Sequence, residues 1–479
     1  MTHAVAGQLA AKKEPTLPAG FWTLDRVTDA LASVAVSPHP RGSTTLSAVN
    51  TDTRSVSAGN LFVALKGERF DAHEFLADAV SKGATALVVS DVNAAATLGV
   101  PVFVVPDTTA ALGLLGRYRR RAWGKTVVAV AGSNGKTSTK ELTSAALGSR
   151  LSVYATRGNL NNHVGVPLTL LAIPDDADVA VVEIGTNHPG EVAMLRAYVE
   201  PDVAIVTSIG EEHLEGLGDL AGVLREESAV FAGVPVAIVP AAQPEVGDAA
   251  RLLATSVVAA GLSSGDVRPD SWSIAPDGAG VLRFGDVEVK PPLRGEHNLR
   301  NAMLAIATAR ALGVSIEDAA AGIARTPALP MRSAWVQIGS YTVINDAYNA
   351  NPASARESLR MLAALDTTRQ RVAVLGSMLE LGAAGPALHD EIARLALSGP
   401  AQLVGGIGEF ARALSAAAPN DARVITAPDA PELWSLLSTR LASDAVILLK
   451  GSRGMRLERL IALMEGNGDR RPASPSDQH

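Results

Sequence analysis

The sequence contains no cysteine. That excludes disulfides, thiolate zinc sites and any mechanism in which the protein forms a thioester, and it fits a reducing compartment. Long apolar runs are also missing, since none approaches the roughly 18 residues of a membrane span. Residues 1–20 lack the apolar core of a signal peptide and read as a loose leader. Positive charge is not in excess. Lys and Arg number 42 against 49 Asp and Glu, for a net charge of −7, which argues against a general nucleic-acid binder. No pair among the nine histidines has the H-E-x-x-H spacing of a zinc site. G-x-S-x-G is absent, and no internal repeat is visible. A soluble, cytoplasmic protein is expected.

What is present is ample material for several cores. A length of 479 with 47% hydrophobic and 19% charged residues suits about three domains of ~150 residues each. The pattern predicts a small α/β unit over 1–124. Its strands lie at Leu61–Leu65, Ala86–Val89 and Val102–Val105, and Asp107 caps a helix ending near Gly124. Strands and helices alternate over 125–328, as a mostly parallel, helix-covered sheet requires. Within it, residues 241–290 are weakly patterned, and an alanine-rich helix follows Gly295. A linker at Pro327–Pro330 leads to a second alternating unit over 329–466. The polar tail from 467 to 479 reads as disordered.

The central unit opens with the apolar run Thr126–Ala131. It breaks into Gly132, Ser133, Asn134, Gly135, Lys136, Thr137 and Ser138, then continues as a helix. Strand, glycine turn, Lys-Thr and helix together make a phosphate-binding loop. Backbone N–H groups and the helix dipole face an anion, Lys136 adds charge, and Thr137 offers a hydroxyl to Mg²⁺. Val130 stands where the strict P-loop pattern has its first glycine. Ligands in such sheets bind at the carboxyl ends of strands. Glu183 ends a later β-rich run, where a cation beside the loop would be held, or where a solvated strand-end carboxylate would sit.

Asp219 can cap a helix running to Phe231. Leu220, Val223, Leu224, Val230 and Phe231 define its apolar face, with Glu227 near the centre and Glu226 to one side. A buried carboxylate needs a cation or hydrogen bonds. The bland alternative is an exposed, frayed helix. Asn345 to Pro352 gathers amides, a carboxylate and a phenol at a strand end, as either a capping turn or a polar ligand site. Lys450 to Gly454 repeats that geometry with positive charge.

These stretches, taken in order, resemble the Mur ligases, the ATP-dependent amide-forming enzymes of peptidoglycan synthesis. The likeness runs from about residue 48 to 465. It rests on Asp52-Thr53-Arg54, Gly59 to Gly67, Gly132 to Glu141, Gly158 to Asn162 with Gly165-Val166-Pro167, Glu183 to Glu191, and His213 to Gly216. His297-Asn298 with Asn301, Asp346 to Ser354, Glu380-Leu381-Gly382 with His389, and Lys450 to Arg453 complete it. The resemblance implies an α/β enzyme of three domains. A small N-terminal domain would hold a UDP-linked substrate, a central P-loop ATPase-like domain would bind ATP, and a Rossmann-like C-terminal domain would bring the second substrate. Lys140-Glu141, Gly-Asn-Leu-Asn-Asn and Tyr-Asn-Ala-Asn-Pro favour the family member that joins D-Ala-D-Ala to UDP-N-acetylmuramoyl-tripeptide. The Asp-Asn-Pro-Arg motif of the preceding ligase is absent.

Carried over residue by residue, the resemblance makes Lys136 the phosphate lysine and Thr137 the Mg²⁺ hydroxyl. Glu183 and His213 become metal-site positions. Asn298 and Asn301 lie on the adenine side, Arg332 reaches the phosphates from the linker, and Asp346 sits near the ribose. Asn349, Asn351, Lys450 and Arg453 face the cleft from the C-terminal domain. Arg54, Lys66, Asn159 and Asn162 are expected on the UDP-sugar peptide. A monomer using ATP and Mg²⁺ is implied. Two departures stand out. The family's Pro-Gly-Arg is Pro330-Met331-Arg332 here, so the hinge loses its glycine. Glu227, four residues before Phe231, replaces a lysine that many members carbamylate, and is expected to help place a second Mg²⁺. The alternatives are a sibling ligase with another acceptor, folylpolyglutamate synthase included, or a nucleotide-regulated scaffold without catalysis.

Overall fold

The computed structural model describes residues 20–67, 70–327 and 329–468. The leader assigned to 1–20 falls almost wholly outside the described residues, as does most of the tail assigned to 467–479.

Three helix-covered sheets follow one another along the chain. The first has four parallel strands in the order Val49–Asn50, Leu61–Val63, Ala86–Val89 and Val102–Val104. Asp107 caps the helix Thr108–Trp123 by accepting from the N–H groups of Thr109 and Ala110, and left-handed Gly124 ends it. That helix packs against the central unit, where Gly116 lies against Pro167 and Gly113 against Tyr198.

The central sheet has six parallel strands. Their spatial order is Ser256–Ala260, Val236–Pro240, Val203–Val206, Thr126–Ala131, Val179–Glu183 and Val153–Ala155. The strand before the phosphate loop is therefore interior. Its alternate residues serve two cores. Val128 and Val130 pack with Leu142 and Met303 on one face, and Val127, Ala129 and Ala131 pack with Val166, Leu195 and Phe231 on the other. Val130 is thus a core residue within the strand, paired with Glu183 and Ile205 on its neighbours, and the turn begins only at Gly132.

The third sheet runs Ala334–Ile338, Tyr341–Asp346, Val446–Lys450, Arg371–Leu375, Leu403–Ile407 and Val424–Ala427. All its pairs are parallel except the first.

Sequence patterning passed over several elements, among them the helices Pro244–Leu253 and Ile316–Ile323, and the strands Ser256–Ala260 and Ala334–Ile338. Both strands are sheet edges with mostly half-buried residues, so they carry no continuous apolar run. The helix after Asp219 spans Leu220–Ser228 and tightens into a 3₁₀ turn, Ala229–Phe231. Leu220, placed on its apolar face, is in fact exposed.

Candidate active site

The strand Thr126–Ala131 delivers the phosphate loop to the carboxyl edge of the central sheet, and the helix Lys136–Leu147 follows it. Gly132 and Gly135 both take left-handed backbone, with φ of 116° and 85°. Neither has room for a side chain. A Cβ on Gly132 would lie 2.4 Å from Thr207 Oγ1, and one on Gly135 would lie 2.6 Å from Asn301 Oδ1. The loop is also tied to the next strand end. Ser133 N donates to Ser208 O at 2.7 Å, and Gly210 N donates to Ser133 Oγ at 2.9 Å.

Around this loop the charges are concentrated. Lys136 Nζ donates to Gly132 O at 2.5 Å and lies 3.8 Å from Glu212 Oε1. Burial alone would depress the lysine, but the charges of Glu212, Glu227 and Glu183 outweigh it and hold Lys136 above its ordinary value. Thr137 Oγ1 donates to Glu183 Oε2 at 2.9 Å, and Asn161 Nδ2 donates to Glu183 Oε1 at 2.9 Å. A hydroxyl and a carboxylate so placed beside a phosphate loop are a donor set suited to a hard cation. Among the described residues, no group of three or more His, Asp or Glu side chains forms a metal cage. Such a cation would take its remaining ligands from phosphate and water.

Glu227 is buried as expected, and its hydrogen-bond partner is the phosphate loop itself. Its Oε2 accepts from Gly132 N at 2.7 Å, behind the loop, and it does not line the cleft. It anchors the backbone of the phosphate loop. Glu226, the other candidate, accepts from Gly190 N and Val192 N and ties down the turn before the helix Glu191–Val199. Glu212, a cleft-lining carboxylate beside Lys136, is one that sequence reasoning passed over. Burial, opposed by Lys136, pushes Glu212 up to about 8, and burial likewise raises Glu227. His213, half-buried and depressed by that burial, lines the same wall.

A cleft of about 880 Å³ runs from this loop to the carboxyl edge of the third sheet. Asn298, Asn301, Arg332, Asp346, Asn349 and Lys450 all line it. Asn298 and Asn301 are joined by a 3.2 Å hydrogen bond on the helix Glu296–Ala311. Arg332 lies 4.0 Å from the centroid of the Tyr348 ring. Asp346 and Lys450 pair across neighbouring strands at 2.8 Å, with Lys450 buried and Asp346 half-buried. Burial would raise the Asp346 carboxyl, but Lys450 and the Ser358 hydroxyl together hold it below its ordinary value. Ser333 N and Ser358 Oγ also donate to Asp346, so the protein itself already satisfies this carboxylate.

Several other expectations change. Asn351 does not line the main cleft. It caps the helix Pro352–Ala364 and donates to Asn134 Oδ1 at 2.9 Å, which latches the third unit onto the phosphate loop. It also lines a smaller pocket of about 140 Å³ with Arg453, Glu380 and His213. Asn162 lines the main cleft, but its side-chain Oδ1 accepts from the N–H groups of Val164 and Gly165. Asn159 is exposed, and its neighbour Asn161 is the residue that holds Glu183. Arg54 and Lys66 stand apart on the first unit, paired with Asp52 and Asp71.

A phosphate loop on a parallel sheet, facing a second α/β unit across a charged cleft, has the build of a phosphate-binding α/β enzyme. Family models match it in three consecutive pieces. Residues 45–120 match "Mur ligase family, catalytic domain", 130–309 match "Mur ligase middle domain", and 331–453 match "Mur ligase, glutamate ligase domain". UDP-N-acetylmuramoyl-tripeptide–D-alanyl-D-alanine ligase of Escherichia coli is 35% identical over 436 residues, covering 88% of this chain and 95% of that one. The Bacillus subtilis protein of the same name is 33% identical, covering 87% and 93%. MurF from Acinetobacter baumannii superposes with a TM-score of 0.84 at 32% identity, over 93% of this chain and 99% of that one. MurF from Thermotoga maritima, solved with ADP, gives a TM-score of 0.78 at 27% identity, over 89% and 98%. The chain belongs to the Mur ligase family. A Mycobacterium tuberculosis folylpolyglutamate synthase, at 21% identity and a TM-score of 0.61, shares the fold alone. Among the described residues, no helix is long and apolar enough to cross a membrane.

Proposed function

We propose that this protein joins D-alanyl-D-alanine to the terminal carboxylate of UDP-N-acetylmuramoyl-tripeptide, with conversion of ATP to ADP and phosphate. It does so as a cytoplasmic monomer in peptidoglycan precursor synthesis. The observation that carries this reading is the cleft itself. Lys136, Thr137 and Glu183 converge on one wall, and Arg332 and Lys450 stand on the other. The relatives whose names state this reaction span nearly the whole chain.

The reaction brings an anionic carboxylate to an anionic phosphate, so positive charge must converge on both. The tripeptide carboxylate attacks the γ-phosphorus, ADP leaves, and an acyl phosphate forms. The dipeptide amine then attacks the acyl carbon, phosphate leaves with the C–O bond electrons, and the amine gives up a proton. In this reading Lys136 turns from Gly132 O to the phosphates, and Arg332 approaches them from the linker. Thr137 and Glu183 would hold Mg²⁺, with His213 at a second metal position; the ion supplies charge neutralisation along the phosphates. Arg54 and Lys66 are kept for the UDP end, and Asn298, Asn301 and Asp346 for the nucleoside. Closure of the third unit orients the amine and keeps water from the acyl phosphate.

The test is an acceptor screen by phosphate release, using UDP-tripeptides bearing lysine or diaminopimelate. D-Ala-D-Ala should stimulate release with one of them. Stimulation by a different amino acid or by glutamate on a folate would assign a sibling activity instead.

A further inference from the structure

The third unit reaches the nucleotide wall through three side-chain pairs. Asn351 bonds Asn134, Arg356 pairs with Glu211 at 3.2 Å, and Glu380 Oε2 meets His213 Nδ1 at 2.5 Å. Only the last engages a residue read above as a metal position. Both of its members hold left-handed backbone without being glycine, with φ of 49° at His213 and 63° at Glu380. Such conformations cost on the order of 1–3 kcal/mol and persist where the surroundings over-determine them. The surroundings here do so. Met378 N donates to the buried His389 Nε2 at 2.9 Å, and Leu379 N donates to Ser452 Oγ at 3.0 Å. Glu380 O accepts from Glu215 N, next to the histidine turn.

We infer that Glu380 is a positioning residue for His213, supplied by the C-terminal unit only when the two units are together. A carboxylate accepting from Nδ1–H leaves the Nε2 lone pair as the free donor of the ring. Nε2 is on the side of Glu212, 3.8 Å from its Oε2, and so on the cleft wall. Glu380 is half-exposed, and an ion pair so placed contributes little to stability. Its consequence is directional: closure fixes the tautomer and aim of the imidazole toward a divalent cation beside the phosphates. This rests on the metal role proposed above for His213.

The experiment is Mn²⁺ binding followed by electron paramagnetic resonance, on the full chain with a non-hydrolysable ATP analogue. Glu380→Ala should weaken Mn²⁺ binding about 10–100-fold, the usual loss for an outer partner of a metal-bound histidine. His213→Ala should do the same, and the double variant should be no weaker than His213→Ala alone. Glu380→Gln, which keeps an acceptor for Nδ1–H, should recover part of the loss. Arg356→Ala, which breaks a neighbouring contact between the units, should leave Mn²⁺ affinity close to wild type. Unchanged affinity in Glu380→Ala, or an equal loss in Arg356→Ala, would overturn the inference. Absence of Mn²⁺ binding by the wild-type complex would instead remove the metal reading beneath it.

Discussion

The phosphate loop and the hinge at Arg332 both bend through left-handed backbone, and they do so with opposite residues. The loop uses glycine at 132 and 135, where φ is positive and neighbouring atoms leave no space for a Cβ. The hinge uses Met331 and Ser333, with φ of 60° and 51°, on either side of Arg332. The hinge thus holds left-handed backbone without a glycine, and methionine adopts the glycine-like conformation. The difference lies in what approaches. At the loop, the backbone comes close to Thr207 and Asn301. At the hinge the side chains find partners: Arg453 Nη1 lies 2.9 Å from Met331 Sδ, and Met331 packs against the core of the third unit.

The largest expected effect breaks the loop. Gly132→Ala must displace Thr207 or the loop, and it adds left-handed strain of ~1–2 kcal/mol to overpacking of about 1–3 kcal/mol. Phosphate release should fall by at least ~100-fold, since removal of even one preorganised donor costs that much. Near-normal turnover would show that the loop is not held as described. The next effect falls on the C-terminal wall, which relies on an ion pair between buried Lys450 and half-buried Asp346 instead of glycine. Asp346→Asn leaves Lys450 buried without its charge, and should destabilise the third unit by about 3–5 kcal/mol in urea. The Asp346 carboxyl is depressed when folded. Its stabilisation is therefore complete above the unfolded value of roughly 4 and is lost as pH falls through the folded value. The variant should lack that acid-dependent part of the stability curve.

A smaller effect separates two readings of Glu227. As a loop anchor it needs only an acceptor for Gly132 N–H, so Glu227→Gln should keep most of its activity. Glu227→Ala strands a buried donor and should cost about 1–3 kcal/mol. Equal damage by both variants in phosphate release would favour the metal role.

Much of this was legible in the sequence because strand runs and motif order are local properties. The interior strand Thr126–Ala131 and the strand Val446–Lys450 are continuous apolar runs, and the structure keeps their bounds. Glu227 at the centre of a buried face was also legible, because helical periodicity reports burial. What it touches was not, since Gly132 lies 95 residues away. Glu212 carried no pattern of its own, and Glu380 entered only as part of a family motif with no role attached. Their significance comes from Lys136 and His213 being brought to them by the meeting of two units. The edge strands Ser256–Ala260 and Ala334–Ile338 escaped because a half-exposed strand needs no apolar run.

The smallest expected effect tests the hinge side of the comparison. Met331→Gly removes left-handed strain of ~1–2 kcal/mol. It also loosens the unfolded chain, which takes back about 0.4–1 kcal/mol, and it gives up the contact with Arg453. The net change in the urea transition of the third unit should therefore be under ~1 kcal/mol. Met331→Ala keeps the strain and loses only the contact, so it should be the less stable of the two. If Met331→Gly were instead as damaging as Gly132→Ala, the methionine would be required for its side chain, and the hinge would belong with the loop as a position where the residue type is fixed by what approaches it.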